Sequence, residues 1–260
     1  MPVKNAVIFA ASLCVLAVLP GCSAASTTTG HLATGHPATV PFRSPAVAAA
    51  FTVAGDRPVP PSGSQDTHAQ AAGAACDSTT FTSDEAQGTQ VADGFDLAGF
   101  PAAADLLEHF LQGSGTEVDY RAGSQISQEA RMSSAFLAVN DQVQQAVWRQ
   151  LKAGGNRVQL PSGQLPTVAF ESGNSDLYWA FRGTQGLTVT GRGSRVKGRY
   201  TGTLTYVIRD SYGFPASDTL GGFGPPMRYL QTACGAPQHR GGAHWFPDTI
   251  TVTVPFSQPA

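Results

Sequence analysis

The run Tyr200-Thr201-Gly202-Thr203-Leu204-Thr205-Tyr206-Val207-Ile208-Arg209 decides the fold class. Successive side chains of a strand point to opposite faces, so Leu204, Tyr206 and Ile208 line one side and Thr201, Thr203 and Thr205 the other. The segment 249–254 repeats the pattern, with Ile250, Val252 and Val254 inward and threonines outward. A polar face this regular belongs to a sheet covered on one side only, which is the antiparallel habit. Shorter strands are expected at 157–160, 167–170, 177–181 and 187–190.

Upstream of Gly155 the period changes from 2 to 3.6. Phe136, Val139, Val143, Val147 and Leu151 recur at steps of three and four, Ser133 or Ser134 can cap, and Arg149 and Lys152 suit the last turn. Pro101 suits a first helical turn; Leu106, Leu107, Phe110 and Leu111 share a face, and Gly113 suits the stop. Helices first and strands afterwards predict an α+β domain, with an antiparallel β-sheet or partly open barrel following N-terminal helices.

Before these signals the chain is rich in Ala, Thr, Ser, Pro and Gly, with few large apolar residues to offset the entropy of ordering it. The expected organisation is a leader over 1–21, a tether over 22–90 and a folded domain over 91–257. One apolar stretch, 47–53, could dock on that domain. The leader itself has Lys4, then an apolar run from Ala6 to Leu19 that is too short to span a bilayer, ending in Leu19-Pro20-Gly21-Cys22. That ending resembles the lipobox of bacterial lipoproteins. The resemblance implies cleavage before Cys22, diacylation of its thiol and attachment to the outer, extracytoplasmic face of the cell membrane. More than one acyl chain makes attachment durable.

Thirteen of the sixteen basic residues are Arg, a bias that with the Ala, Gly and Pro content points to a GC-rich, actinobacterial source. A net charge of −2 argues against nucleic acid as the partner. Cys14 leaves with the leader and Cys22 is taken by lipid, so Cys76 and Cys234 remain; in an exported chain a lone pair is expected to form a disulfide.

Chemistry-bearing motifs are few. There is no Gly-x-Ser-x-Gly, His-Glu-x-x-His, phosphate-binding Gly-x-x-x-x-Gly-Lys or Cys-x-x-Cys. That does not exclude an enzyme, but it favours a binding role and implies no cofactor. Gly191-Arg192-Gly193-Ser194 reads as a hairpin tip. The surrounding Arg192, Arg195, Lys197 and Arg199 read first as a solvated turn, with a patch for anionic lipid or wall polymer as the alternative. The segment 210–248 is long and rich in functional types. Asp210 ends a strand, where a carboxylate can project at a sheet rim. His239, His244 and Asp248 could converge, and two His with a carboxylate can hold zinc; loop spacing alone does not specify a site, and no metal is expected. Trp179, Phe181, Tyr212, Phe214, Trp245 and Phe246 either complete a core or line a groove. Within this set the ligand-binding candidates are Trp179, Tyr212, His244 and Trp245.

Two further resemblances rest on short stretches. His109-Phe110-Leu111-Gln112-Gly113-Ser114-Gly115, with 206–214 and Gln238-His239-Arg240, is similar to the terminal region of some large secreted actinobacterial proteins. Asp210-Ser211-Tyr212 with His239-Arg240 resembles the colicin M-like motif, although Gly213 stands at that family's second acid. That resemblance implies cleavage of a phosphate-linked lipid by Asp210, Tyr212, His239 and Arg240. The expectations are therefore a non-catalytic envelope lipoprotein binding a lipid, wall polymer or protein and, as the alternative, an envelope hydrolase.

Overall fold

In this computed structural model, residues 49–57, 75–161, 165–170, 175–214, 222–235 and 243–260 are described. The leader, Cys22, His239 and Arg240 lie outside the described residues. The alternating run quoted above forms the long central strand β5 (Arg199–Tyr212). Antiparallel partners flank it: β4 (Gly186–Val196) on one side and β6 (Phe246–Pro259) on the other. Three shorter strands complete a six-stranded sheet, β1 (Ala50–Arg57), β2 (Val118–Tyr120) and β3 (Arg157–Leu160), in the order β2-β6-β5-β4-β1-β3. The α+β expectation holds. The sheet is open rather than barrel-like, and it is mixed, because each edge strand, β2 on β6 and β3 on β1, pairs in parallel.

Leu204, Tyr206, Ile208, Ile250 and Val252 are all fully buried on the inner face. The helices cover that face. They are α1 (Ser78–Leu97), α2 (Pro101–Gln112), α3 (Gln125–Met132), α4 (Ser134–Lys152), α5 (Asp176–Ala180) and α6 (Gly224–Thr232). Ser133 caps α4 by accepting from the Phe136 amide, and the apolar stripe of that helix is the buried one. Its Phe136 meets the Tyr206 ring edge-on at 5.1 Å, while the Tyr206 hydroxyl donates to Asn140 Oδ1 at 2.9 Å. Gly113 ends α2 in the left-handed conformation, with φ 66°.

Four expectations need correction. The folded region begins well before residue 91: β1 supplies the buried Phe51 and Val53, and α1 starts at Ser78. Composition misled here because α1 buries only Gly88 and Ala92 fully, so it needs few large apolar residues. The segment 177–181 is helical rather than extended; Ser175 caps it by accepting from the Tyr178 amide. Residues 167–170 form no strand, although Val168 and Phe170 are buried. Gly191 and Gly193 are not a hairpin tip. They lie inside β4 opposite Val53 and Phe51, and a Cβ on Gly193 would come within 2.5 Å of the Phe51 ring. The turn is Lys197-Gly198, with φ 48° and 75°, as a two-residue type I′ connection requires.

Cys76, just before α1, and Cys234, just after α6, sit at disulfide-bonding distance with Cα atoms 4.9 Å apart. The pair joins the two ends of a chain segment that contains all six helices, α1 to α6.

Candidate functional site

The inner face of β5 continues past Ile208 to Asp210, and that of β6 begins at Phe246 and Asp248 before Ile250. In register, Asp210 stands directly opposite Asp248, between the Ile208–Ile250 and Tyr212–Phe246 pairs. Residues so opposed have Cβ atoms about 4.5–5.5 Å apart. Two carboxyls are therefore neighbours inside an otherwise apolar row. Asp248 is wholly buried, and neither of its oxygens has a hydrogen-bond partner in another residue. Asp210 is 8% exposed.

Burial pushes the Asp210 carboxyl up to about 7, against the opposing pull of hydrogen bonds from the Ser211 amide and the Gln185 side chain. Asp248 is driven well above the ordinary carboxylate range, first by burial and then by the charge of Asp210, with Glu117 adding a little; its own backbone N–H pulls the other way. Each carboxyl thus favours the protonated form, and the two cannot ionise independently. Asp210 does not project at the rim as expected, because the same alternation that buries Ile208 turns it inward.

Above this pair the rim of the sheet is aromatic. Tyr212 stacks on Phe246 at 5.5 Å, and Phe110 of α2 packs edgewise on Tyr212 and Phe214 at 6.2 and 5.0 Å. His109 meets Phe246 edge-on at 4.4 Å, and its Nε2 donates to the Thr116 carbonyl at 2.9 Å. His244 and Trp245 lie stacked at 5.8 Å immediately before β6. His244 Nδ1 donates to the Trp245 carbonyl at 2.6 Å, which leaves Nε2 as the acceptor of the neutral ring. Its backbone amide donates to the Phe110 carbonyl at 3.2 Å, holding the segment on α2. Trp245 backs onto Gly213, where a Cβ would come 3.1 Å from the tryptophan Cβ.

Tyr212, His244 and Trp245 are accordingly half-buried neighbours at one rim. Trp179, on α5, contacts Phe95 at 5.3 Å, and a relay of rings from Phe95 to Phe223 to Phe214 links it to Tyr212. Asp210 and Tyr212 lie in the same strand two residues apart, and the other half of the hydrolase set, His239 and Arg240, falls outside the described residues. Among the described residues no group of three His, Cys, Asp or Glu is placed to hold a metal.

Two further carboxyls carry no local sequence signal. The pairing of Asp248 with Asp210 depends on register, which no local pattern reveals. Asp176, 4% exposed, accepts from the Ala102 and Ala103 amides at 2.9 and 2.7 Å and so caps α2 from a distant element. The one available signal was negative: Phe100, at the N-cap position before Pro101, has no side chain able to cap. No protein-family model matches the chain, and neither a curated protein nor a solved structure shows significant similarity to it.

Proposed function

We propose that this chain is a lipoprotein held on the extracytoplasmic face of the cell membrane by lipid on Cys22, and that its domain binds an envelope ligand or partner at the Tyr212–Trp245 rim without turning it over. The lipobox-like Leu19-Pro20-Gly21-Cys22 supports the anchor. The Cys76–Cys234 pair at bonding distance suits an oxidising compartment. The observation that carries the binding reading is the Asp210–Asp248 pair. Two opposed buried carboxyls, one without a partner, are destabilising, and selection for stability alone would favour apolar residues there. Such local conflicts concentrate at functional sites.

The anchor is tested by mass spectrometry of the mature chain. Acyl mass on Cys22, lost in Cys22→Ala, is the expected result, and an unmodified N-terminal peptide would defeat it. For the rim, wall muropeptides should change the fluorescence of the lipidated chain, with Trp245→Ala and Tyr212→Ala weakening binding about tenfold or more while the fold persists. Turnover of an envelope substrate, lost on single rim substitutions, would sink the non-catalytic reading.

One observation favours the hydrolase as a second reading: a carboxyl near 7, as Asp210 has, suits proton transfer at neutral pH. In that case Asp210 and His239 would move the proton, Tyr212 would position substrate and Arg240 would hold phosphate oxygens. His239→Ala should then abolish cleavage of a pyrophosphate-linked lipid with the fold intact; undiminished turnover in that variant excludes it.

A further inference from the structure

A net charge of −2 conceals a strong segregation of charge. Between residues 75 and 120 there are nine Asp or Glu and no Lys or Arg; between 142 and 209, nine Lys or Arg stand against only Glu171 and Asp176. The fold gathers many of these cations at one end of the sheet. Arg192 and Arg157 flank Thr52 on its two sides, in one row across three strands. Arg195, Lys197 and Arg199 surround the β4–β5 turn a few residues further along. The last turn of α4 lies at the same end, because the Tyr200 hydroxyl donates to the Leu151 carbonyl at 3.0 Å, and this brings Lys152 to the group.

All six of these cations are exposed, and none is paired with a carboxylate among the described residues. Arg195 lies over the Tyr200 ring, Lys152 over Trp148, and Arg199 donates to Ser257. Val196, 43% exposed, stands among them as an apolar side chain at the turn. A solvated turn needs one or two charges for solubility; six cations without a carboxylate partner, drawn from α4, β3, β4, the β4–β5 turn and β5, make a field of one sign.

The entry point of the chain adds a second, independent observation. β1 begins at Ala50 opposite Ser194, and the Arg195 amide donates to the Ala49 carbonyl at 3.0 Å. Whatever tethers residue 49 therefore reaches the fold at the cationic end. The segment 23–49 can extend at most about 95 Å from Cys22, so this end can reach the bilayer surface. The Tyr212–Trp245 rim lies at the other end of β5, about 45 Å away along the strand.

We propose that the cationic end of the sheet is a contact surface for anionic lipid headgroups, turning the β4–β5 hairpin toward the bilayer and the Tyr212–Trp245 rim away from it. This rests on the lipid-anchor reading above. The anchor supplies proximity, and the cations supply orientation, each favouring the membrane-apposed state about fivefold near an anionic surface. Charge complementarity names the partner as an acidic phospholipid, and Val196 suits shallow contact with the headgroup layer.

The test uses the lipidated chain in phosphatidylcholine vesicles with and without phosphatidylglycerol, and a fluorophore on Val196→Cys or, at the rim, on Pro247→Cys. Nitroxide headgroups should quench the Val196→Cys label several-fold more when phosphatidylglycerol is present, and leave the Pro247→Cys label unaffected. Arg192→Glu with Arg195→Glu and Arg199→Glu should remove the gain; high salt on the unsubstituted surface should do the same, which covers a variant that fails to fold. Equal quenching in both vesicle types, or quenching of the rim label instead, overturns the proposal. So does tight binding of inorganic polyphosphate with no approach to phosphatidylglycerol, since the partner would then be a soluble polyanion. Failure of the anchor shows separately, as a soluble chain without acyl mass. Co-sedimentation of that chain with phosphatidylglycerol vesicles, lost on charge reversal, would still establish the surface, and its absence would refute it.

Discussion

Asp248 and Asp210 form a buried carboxyl pair that links the stability of the domain to pH. An unfolded aspartate titrates near 3.9, and both groups are raised in the fold, Asp210 to about 7. A carboxyl whose folded value is raised contributes stability that is fully present below the unfolded value and is lost as pH rises through the folded one. The melting temperature should therefore fall between pH 5 and pH 8, and Asp248→Asn should raise it by a few degrees at pH 8 and flatten the profile. A steeper profile in that variant would show that the pair is not the source. Burial raises the Asp176 carboxyl too, against the pull of the Ala102 and Ala103 amides, but this group is an acceptor that the fold needs. Asp176→Ala strands two buried amides at the start of α2 and should cost about 2–4 kcal/mol in a denaturant titration. The inward direction of Asp210 was legible in the sequence, since the step of two that places Leu204, Tyr206 and Ile208 inside places it there too. Its partner was not, because only the β5–β6 register sets Asp210 against Asp248.

Among the elements, those with strong periodicity were legible and those held by distant contacts were not. α4 and β5 carry their own signals, in cap, stripe and alternation. β1 has only Phe51 and Val53 to mark it, and it becomes a strand because Gly191 and Gly193 leave space for those two side chains. The parallel edge pairings of β2 and β3 leave no short-range trace either: β3 reaches β1 only after α1 to α4, and β6 follows its partner β2 only after three other strands. The Cys76–Cys234 pairing was legible by elimination, and its value lies in the elements that it fastens. It closes a segment with a sequence separation of 158, for which the chain-entropy relation gives about 5 kcal/mol. Reduction, or replacement of both cysteines by Ala, should lower the melting temperature by roughly 10–20 °C at this size. Hydrogen exchange should show α1 and α6 opening first. An unchanged melting temperature would mean that packing between those helices holds them without the bond.

For the molecule as a whole, the formal charge was a poor guide, because −2 is the remainder of two opposed blocks rather than a sign of weak fields. What decides the energetics is distance. Charges within each block are near neighbours: Asp93 and Asp96 on α1, Asp105 and Glu108 on α2, and Arg149 and Lys152 on α4 are like pairs three residues apart. Each such pair disfavours its helix by about 0.2–0.5 kcal/mol. Attraction between the blocks must act over longer distances, and among the described residues only Arg121–Asp119 and Arg209–Asp56 bring unlike charges within 4.0 Å. Both pairs are substantially exposed, and such pairs contribute little. Salt with a Debye length of about 10 Å or less should therefore relieve more repulsion than it removes attraction. Raising NaCl from about 10 mM to 300 mM at pH 7.5 should increase the melting temperature by about 2–4 °C, the equivalent of about 1 kcal/mol. A fall on adding salt would show instead that the acidic and basic blocks hold each other across the domain. In that case the cationic end of the sheet would be engaged from within and less available to an anionic membrane.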